Sequence, residues 1–272
     1  MFGPIVTISR NTFTEAIRQP IYIILMLGVI LLLILGAAWA AYTLDDDNKL
    51  LLDTGLSMVL AWSGVMAAFL ASGVLAREID NKTVLTVISK PIGRPAFVIG
   101  KFLGVAGATA LAWLIWSLVF LMTVRHKVLS GASDQLDGPV WAFGLAALAI
   151  ALIVAVWGNY FYNWVFNSTF VRVLTVTMPT AYLLVLMVNK QWHFQPIYTE
   201  FSPDLAPVTN YGEEAKSLWQ VIVALLMVFE ATMILVAVAI AASTRLGHVM
   251  TLLVVFGLFL LGIASDGFFG QY

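Results

Sequence analysis

Long apolar runs separated by short polar connectors dominate the chain from residue 20 onward. A helix needs about 20 apolar residues to cross the hydrocarbon of a bilayer. Seven runs approach or exceed that length, near residues 20–43, 54–76, 97–124, 139–160, 170–189, 218–243 and 248–265. Because lipid offers no hydrogen-bond partners, each run must satisfy its own backbone groups as a helix. The pattern predicts an all-α polytopic membrane protein with six to seven transmembrane helices, forming a single transmembrane domain over residues 1–272.

Composition supports this class. Hydrophobic residues make up 61% of the 272 residues and charged residues only 11%, whereas about a quarter of a soluble domain is charged. The formal net charge of −1 gives no reason to expect nucleic acid as a partner. The absence of cysteine excludes disulfides, thiolate metal sites and cysteine nucleophiles. The chain stops at Tyr272, directly after the seventh run, which leaves open that the natural polypeptide continues.

Basic residues indicate the orientation of the spans, because short cytoplasmic loops of membrane proteins are enriched in Lys and Arg. With a cytoplasmic N-terminus, nine fall on the inner side: Arg10, Arg18, Arg77, Lys82, Lys90, Arg94, Lys101, Arg172 and Arg245. Five fall on the outer side: Lys49, Arg125, Lys127, Lys190 and Lys216. Arg125 and Lys127, which flank His126, run against the rule. The balance nevertheless predicts a cytoplasmic N-terminus.

The connector at residues 77–96, between the second and third runs, concentrates charge and proline. Its pattern predicts a short helix from Ile79 to Ser89 whose apolar side is formed by Val84, Leu85, Val87 and Ile88. Lys90-Pro91 ends this helix, because the residue before a proline is pushed out of the helical region. The residues alone allow two interpretations of this segment: a charged connector that only fixes the topology, or a rigid element that docks on a cytoplasmic partner.

Two segments resemble a known family, the permeases of type-2 ABC transporters. The connector carries Glu78, Thr83, Val87, Ser89-Lys90-Pro91, Arg94 and Gly100-Lys101, in the order of the signature connector of these permeases. The start of the chain, ISRNTFTEAIRQPIYIILM from Ile8 to Met26, is also similar. The resemblance is closest to the branch with the permeases for gliding motility and for maturation of the copper enzyme nitrous-oxide reductase.

The resemblance implies a function for the connector. In such transporters it is a coupling helix that docks into a groove of a cytoplasmic ATPase dimer, which binds ATP and Mg²⁺. The coupling residues implied here are Glu78, Thr83, Val84, Leu85, Val87, Ile88, Lys90, Pro91 and Arg94. The chain itself would have no catalytic, cofactor-binding or metal-binding residue. It would work beside a second permease, of the same or a related chain, in the bacterial cytoplasmic (inner) membrane.

The first 19 residues predict an amphipathic cytoplasmic helix at the membrane surface. Val6, Phe13 and Ile17 fall on one side, while Thr12 to Glu15 matches the S/T-x-x-E capping box. The family has an elbow helix at this place. A frayed polar tail is the alternative.

Two further features are open to more than one interpretation. Glu230 lies near the middle of the sixth run, where a carboxylate costs roughly 2–4 kcal/mol on insertion scales. It either lines a substrate path or is a buried packing residue, and the residues slightly favour packing. The segment 189–217 is the longest polar one, and it is either an extracytoplasmic loop that gates or meets an outer partner protein, or an ordinary connection.

Enzyme motifs are missing from the sequence. Walker A, H-E-x-x-H and G-x-S-x-G do not occur, and the three histidines show no metal-ligand spacing. The preferred function is therefore a permease subunit that moves a substrate by alternating access, driven by a separate ATPase. A membrane-embedded enzyme, a secondary carrier and a non-transporting structural subunit of a membrane complex are the alternatives.

Overall fold

The structure is a computed structural model of the chain, and it describes residues 2–40, 47–80, 93–129, 136–197 and 218–269. These residues form helices and connecting turns, with one isolated β-bridge between Val188 and Phe194. The helices of the described ranges are α1 (Phe2–Arg18), α2 (Pro20–Ala40), α3 (Asp47–Asp80), α4 (Arg94–His126), α5 (Gly138–Tyr162), α6 (Phe166–Met187), α7 (Leu218–Ser243) and α8 (His248–Phe269).

The helices agree with the apolar runs. α2 to α7 are long and apolar enough to cross a membrane, which confirms an all-α polytopic membrane protein. The seventh run also forms a helix, α8, but its described apolar part, Val249–Gly262, is shorter than the about 20 residues that a crossing requires. Six spans are therefore present by length and composition within the described ranges.

Helix ends differ from the apolar runs where polar residues continue a helix beyond the hydrocarbon. α3 has 34 residues and includes Ile79 and Asp80, where the connector pattern predicted the start of a separate short helix. α4 begins at Arg94 and ends at His126, a few residues outside the third run. A helix can continue from the hydrocarbon into the interface because its backbone hydrogen bonds are internal. The length of an apolar run therefore predicts the part of the helix that lies in the hydrocarbon, and not the ends of the helix.

Contacts divide the chain into two compact units. The first unit comprises residues 1–25, 60–112 and 229–272. Its core includes the fully buried Ile17, Met66 and Leu70. The Tyr22 hydroxyl, also buried, donates a 2.8 Å hydrogen bond to the Ala108 carbonyl, which ties α2 to α4 within this unit.

The second unit comprises residues 26–59 and 113–228. Trp116 is fully buried, and its Nε1 donates a 3.1 Å hydrogen bond to the Met26 carbonyl. The Phe120 ring packs on the backbone of Gly55, where an added Cβ would lie 2.0 Å from its Cε2. Aromatic side chains in this unit thus fill space that small residues leave open.

A tight turn joins α5 to α6 in the second unit. Asn163 adopts the left-handed conformation that ends helices, with φ 58°, and Asn159 Nδ2 donates to the Trp164 carbonyl at 2.8 Å. The aromatic side chains around this turn are mostly exposed: Tyr160, Phe161, Tyr162 and Trp164. Exposed aromatic rings at the end of a span are typical of the interfacial belt of a membrane.

Candidate functional site

The candidate site lies in the first unit, where α1 packs against the beginning of α4. Three glycines of α4, Gly100, Gly104 and Gly107, recur at i, i+4 and i+7, which places them on one side of the helix. We call this stripe the glycine groove. Ile8 faces Gly100, and Thr12 faces Gly104. The stripe therefore allows the two helices to approach closely.

Distances show how little room the glycine groove leaves. A Cβ added at Gly104 would lie 2.5 Å from the Thr12 Cβ and 2.8 Å from the Ser9 carbonyl oxygen. A Cβ at Gly100 would lie 2.8 Å from the Ile8 Cβ. Backbone and Cβ atoms cannot rotate away as the end of a long side chain can. Even alanine at Gly104 would therefore displace α1.

This packing corrects two details predicted for the first 19 residues. Thr12 and Glu15 do not form an N-terminal capping box, because α1 already begins at Phe2 and Thr12 lies inside it. Val6 was assigned to the apolar side, yet its side chain is 64% exposed. Ile17, which was assigned to the same side, is buried as predicted, and Thr12, which was not assigned to it, is also buried and fits against Gly104. The predicted helix itself is confirmed.

The corner between α1 and α2 contacts α3, the helix that precedes the connector in the sequence. Gln19 is buried at this corner, and a Cβ added at Gly73 of α3 would lie 3.0 Å from its Oε1. α1 and its corner therefore contact α3 shortly before the connector and α4 shortly after it. Both contacts lie within the first unit.

The opposite side of α1 is polar. Arg10, Asn11 and Arg18 are exposed, while Thr14 and Glu15 are half-buried. On the neighbouring α4, Lys101 is buried, and its Nζ lies 5.6 Å from the centre of the Phe97 ring. The site thus has a closely packed inner side and a polar outer side, at the same end of the spans as the connector.

Most of the coupling residues implied by the resemblance lie outside the described residues: Thr83, Val84, Leu85, Val87, Ile88, Lys90 and Pro91. Glu78 belongs to α3 and Arg94 is the first residue of α4, and for both the structure describes the backbone only. Glu230 lies in α7 and is exposed. The described contacts leave the roles of all these residues as predictions.

A second polar cluster, which the sequence pattern did not reveal, lies in the second unit. The Arg125 guanidinium donates hydrogen bonds to the carbonyls of Val185 and Val188 at the end of α6. Its Nε lies 3.4 Å from Asp137 Oδ2, and the two side chains are 7% and 0% exposed. Asp137 Oδ1 also accepts from the Val140 N–H at the start of α5. We call this cluster the Arg125 anchor.

The Arg125 anchor explains one exception to the charge rule. Arg125 is a cation on the side predicted to be the outer one, which should be poor in cations, but it is paired with a buried carboxylate and held by backbone carbonyls. Carbonyls at a helix end lack intrahelical partners, so a guanidinium satisfies them well. The departure from the rule was itself the signal by which this residue could have been found.

The fold and the site define a multi-pass membrane protein whose N-terminal helix packs on the beginning of the third span, the span that follows a charged connector in the sequence. Residues 6–197 match the family model described as ABC-2 family transporter protein, which covers more than two thirds of the chain. The chain belongs to this family. It is thus a membrane component of an ABC transporter. No curated protein and no solved structure matches the chain.

Proposed function

We propose that the chain is the permease subunit of a type-2 ABC transporter, and that α1 helps to transmit the motion of a separate ATPase into the spans. The observation that carries the proposal is the double contact of α1 and its corner. Gln19 packs at Gly73 before the connector, and Thr12 packs at Gly104 after it. A displacement of the connector is thereby shared with the first span.

Close packing is what makes this transmission effective. Contacts between backbone and Cβ atoms resist small displacements steeply, whereas long side chains absorb them by changing rotamer. The glycine groove presses α1 directly on the backbone of α4. A push on the start of α4 therefore moves α1 with it, as in rigid-body hinge motion. Alternating access then requires only that a partner supplies the push.

The partner is a cytoplasmic ABC ATPase dimer that binds ATP and Mg²⁺. The apolar Val84, Leu85, Val87 and Ile88 would enter its groove, and Lys90 and Arg94 would pair with acidic groups at the rim. Pro91 would stiffen the exit from the docked helix, while Glu78 and Thr83 would set its entry. The resemblance of the connector to the permease signature supports these roles, as does the family match.

Orientation and the other partners follow from the same proposal. The N-terminus is cytoplasmic, in a bacterial inner membrane, since the connector must face the ATPase and basic residues concentrate on that side. A second permease completes the transporter, and the segment 189–217 is available to an outer partner protein. The branch of gliding-motility and copper-enzyme-maturation permeases remains the nearest resemblance.

Glu230 fits a transporter with two permeases. Its side chain is exposed in the single chain, although it lies near the middle of an apolar span. A carboxylate at that depth is unfavourable against lipid and is tolerated against protein or water. We therefore place Glu230 at the second permease or along the substrate path.

Co-purification tests the proposal. The full-length chain is purified from native membranes as the wild type and as Leu85→Asp. A cytoplasmic ABC ATPase should accompany the wild type and be lost with Leu85→Asp, because a carboxylate would be buried in the apolar groove. Leu136→Asp is the matched control, since Leu136 is exposed at the opposite end of the spans and its substitution should leave the ATPase bound.

Charge reversal gives a second readout. Arg94→Glu should weaken ATPase binding most at low ionic strength, because rim charges are screened by salt. Equal retention of the ATPase by the wild type, Leu85→Asp and Arg94→Glu would refute docking at the connector. A wild-type chain that never retains an ATPase would refute the proposed function itself.

A further inference from the structure

A short loop follows α6 in the second unit, and hydrogen bonds within it hold its backbone in one conformation. We call it the Trp192 loop, residues 188–195. The Asn189 side-chain oxygen accepts hydrogen bonds from the backbone N–H groups of Gln191 and His193, at 3.0 and 2.9 Å. The Asn189 N–H in turn donates to the His193 carbonyl at 2.9 Å. Asparagine closes turns in this way because its side chain takes the place of a backbone partner.

Trp192 adopts an unfavourable backbone conformation that places its ring on the beginning of α5. Its φ is 64°, in the left-handed region, which a residue with a bulky side chain rarely occupies. A Cβ added at Gly138 would lie 3.1 Å from Trp192 Nε1. The Phe143 ring centre lies 6.0 Å from that of Trp192. Strained conformations persist where surrounding contacts determine them, so the indole is held at a fixed place beside α5.

The end of the Trp192 loop returns to the last turn of α6. Val188 and Phe194 form the β-bridge, and the Gln195 N–H donates to the Met187 carbonyl at 2.9 Å. α6 has 22 residues and is about 33 Å long, whereas the hydrocarbon of a bilayer is about 30 Å thick. We therefore expect the end of α6 at the boundary between hydrocarbon and headgroups. Phe194, which is held beside that end, lies at the same depth.

Both rings of the Trp192 loop are exposed, although they are large and apolar. The side chain of Phe194 is 85% exposed and that of Trp192 is 56% exposed. Contact with water is unfavourable for such rings, whereas the membrane interface accepts them. An indole suits the headgroup region because it combines an apolar body with an N–H donor. A rigid loop also lowers the entropic cost of insertion, since the rings are already ordered.

We propose that the Trp192 loop anchors the end of α6 in the membrane interface. The Phe194 ring lies at the edge of the hydrocarbon, and the Trp192 indole lies among the lipid headgroups. The Arg125 guanidinium donates to the carbonyls of Val185 and Val188, the residues from which the loop departs. A loop fixed in the interface therefore also fixes the depth of the Arg125 anchor. This inference rests on α6 as a span, and not on the proposed function.

Spin labels measure the depth of the loop directly, because the chain has no cysteine and a single introduced one is labelled alone. The full-length chain in phosphatidylcholine vesicles carries a nitroxide at Phe194→Cys. Its accessibility is measured to oxygen, which concentrates in hydrocarbon, and to a water-soluble nickel chelate. Gln191→Cys, at an exposed polar position of the same loop, is the control for water. Val176→Cys, 65% exposed and halfway along α6, is the reference for hydrocarbon.

The expected ratio of oxygen to nickel accessibility at Phe194→Cys is several-fold above that at Gln191→Cys and below that at Val176→Cys. A ratio equal to that at Gln191→Cys would overturn the proposal, because Phe194 would then be in water and free for a partner protein. Low accessibility to both reagents would also overturn it, since the ring would be covered by protein.

A second variant tests whether the hydrogen bonds of the loop hold the ring in place. Asn189→Ala removes the acceptor of two N–H groups. In this background the label at Phe194→Cys should move faster, and its oxygen-to-nickel ratio should fall toward that of Gln191→Cys. An unchanged spectrum and ratio would contradict a preorganised anchor. None of these measurements involves an ATPase, so failure here would leave the proposed function standing.

Discussion

The glycine groove and the Arg125 anchor join helices by opposite means. In the groove, α1 and α4 meet because side chains are missing, and atoms of Thr12 and Ile8 lie against the backbone of α4. In the anchor, α4, α5 and α6 meet through a long cationic side chain, a carboxylate and two carbonyls, nearly all buried. One contact depends on shape and the other on charge.

The difference shows what each contact permits. Close packing between backbone and Cβ atoms resists small displacements without involving any charge, so α1 and α4 move together. A buried ion pair is lost abruptly, because separating it leaves an uncompensated charge in a dry environment. The groove therefore suits the part of the chain that receives motion. The anchor suits a part whose helices must keep their register.

Breaking the anchor should have the largest effect. Arg125→Met leaves Asp137 buried without its cation and removes the guanidinium donors from the Val185 and Val188 carbonyls, which we expect to destabilise the chain by about 3–5 kcal/mol. The measurement is the thermal unfolding midpoint of the purified chain in detergent. Arg172→Met is the control, since Arg172 is exposed and its loss should change little.

A double variant separates charge from packing at the anchor. Arg125→Met with Asp137→Asn removes both charges, and it should recover a large part of the lost stability. If the double variant is as unstable as Arg125→Met, the effect of Arg125 comes from packing or from the carbonyl bonds, and the charge argument is wrong.

Filling the glycine groove should have an intermediate effect. Gly104→Leu forces α1 away from α4, and overpacking of this kind costs about 1–3 kcal/mol. Gly28→Leu is the control: it makes the same substitution at a glycine with open surroundings, because an added Cβ at Gly28 meets nothing within 4 Å. The same unfolding midpoint for both leucine variants would show that α1 is not packed as described.

A single polar bond in the first unit should matter least. Tyr22→Phe removes the donor to the Ala108 carbonyl and keeps the ring. Hydrogen bonds between membrane helices contribute about 0.6 kcal/mol on average, so the midpoint should fall only slightly. A loss as large as that of Gly104→Leu would mean that this unit also depends on polar bonds, and the contrast between the two regions would fail.

Span positions could be predicted from the sequence because lipid imposes a length and a polarity on every crossing. The third run, 97–124, falls within α4, and the first run begins with α2 at Pro20. The side of α1 that is buried could be predicted only in part from α1 alone, which placed Ile17 on it correctly. Its own pattern favoured Val6, but the glycines of α4 select which residues fit.

The hydrophobic pattern also could not predict which side chains of different helices contact each other. Arg125 and Asp137 belong to different helices, and nothing in their spacing shows that they meet. The resemblance assigned coupling residues to the connector, and their role stays a prediction because most of them lie outside the described residues.

The most direct test of transmission through α1 is ATP hydrolysis by the purified complex of the permease with its ATPase. Gly104→Ala adds one Cβ that displaces α1, and Gly28→Ala adds the same group in open space. At a temperature where both variants are folded, we predict that Gly104→Ala keeps the ATPase bound but loses the permease-dependent change in hydrolysis rate, while Gly28→Ala behaves as the wild type. A wild-type response from Gly104→Ala would contradict the proposed role of α1.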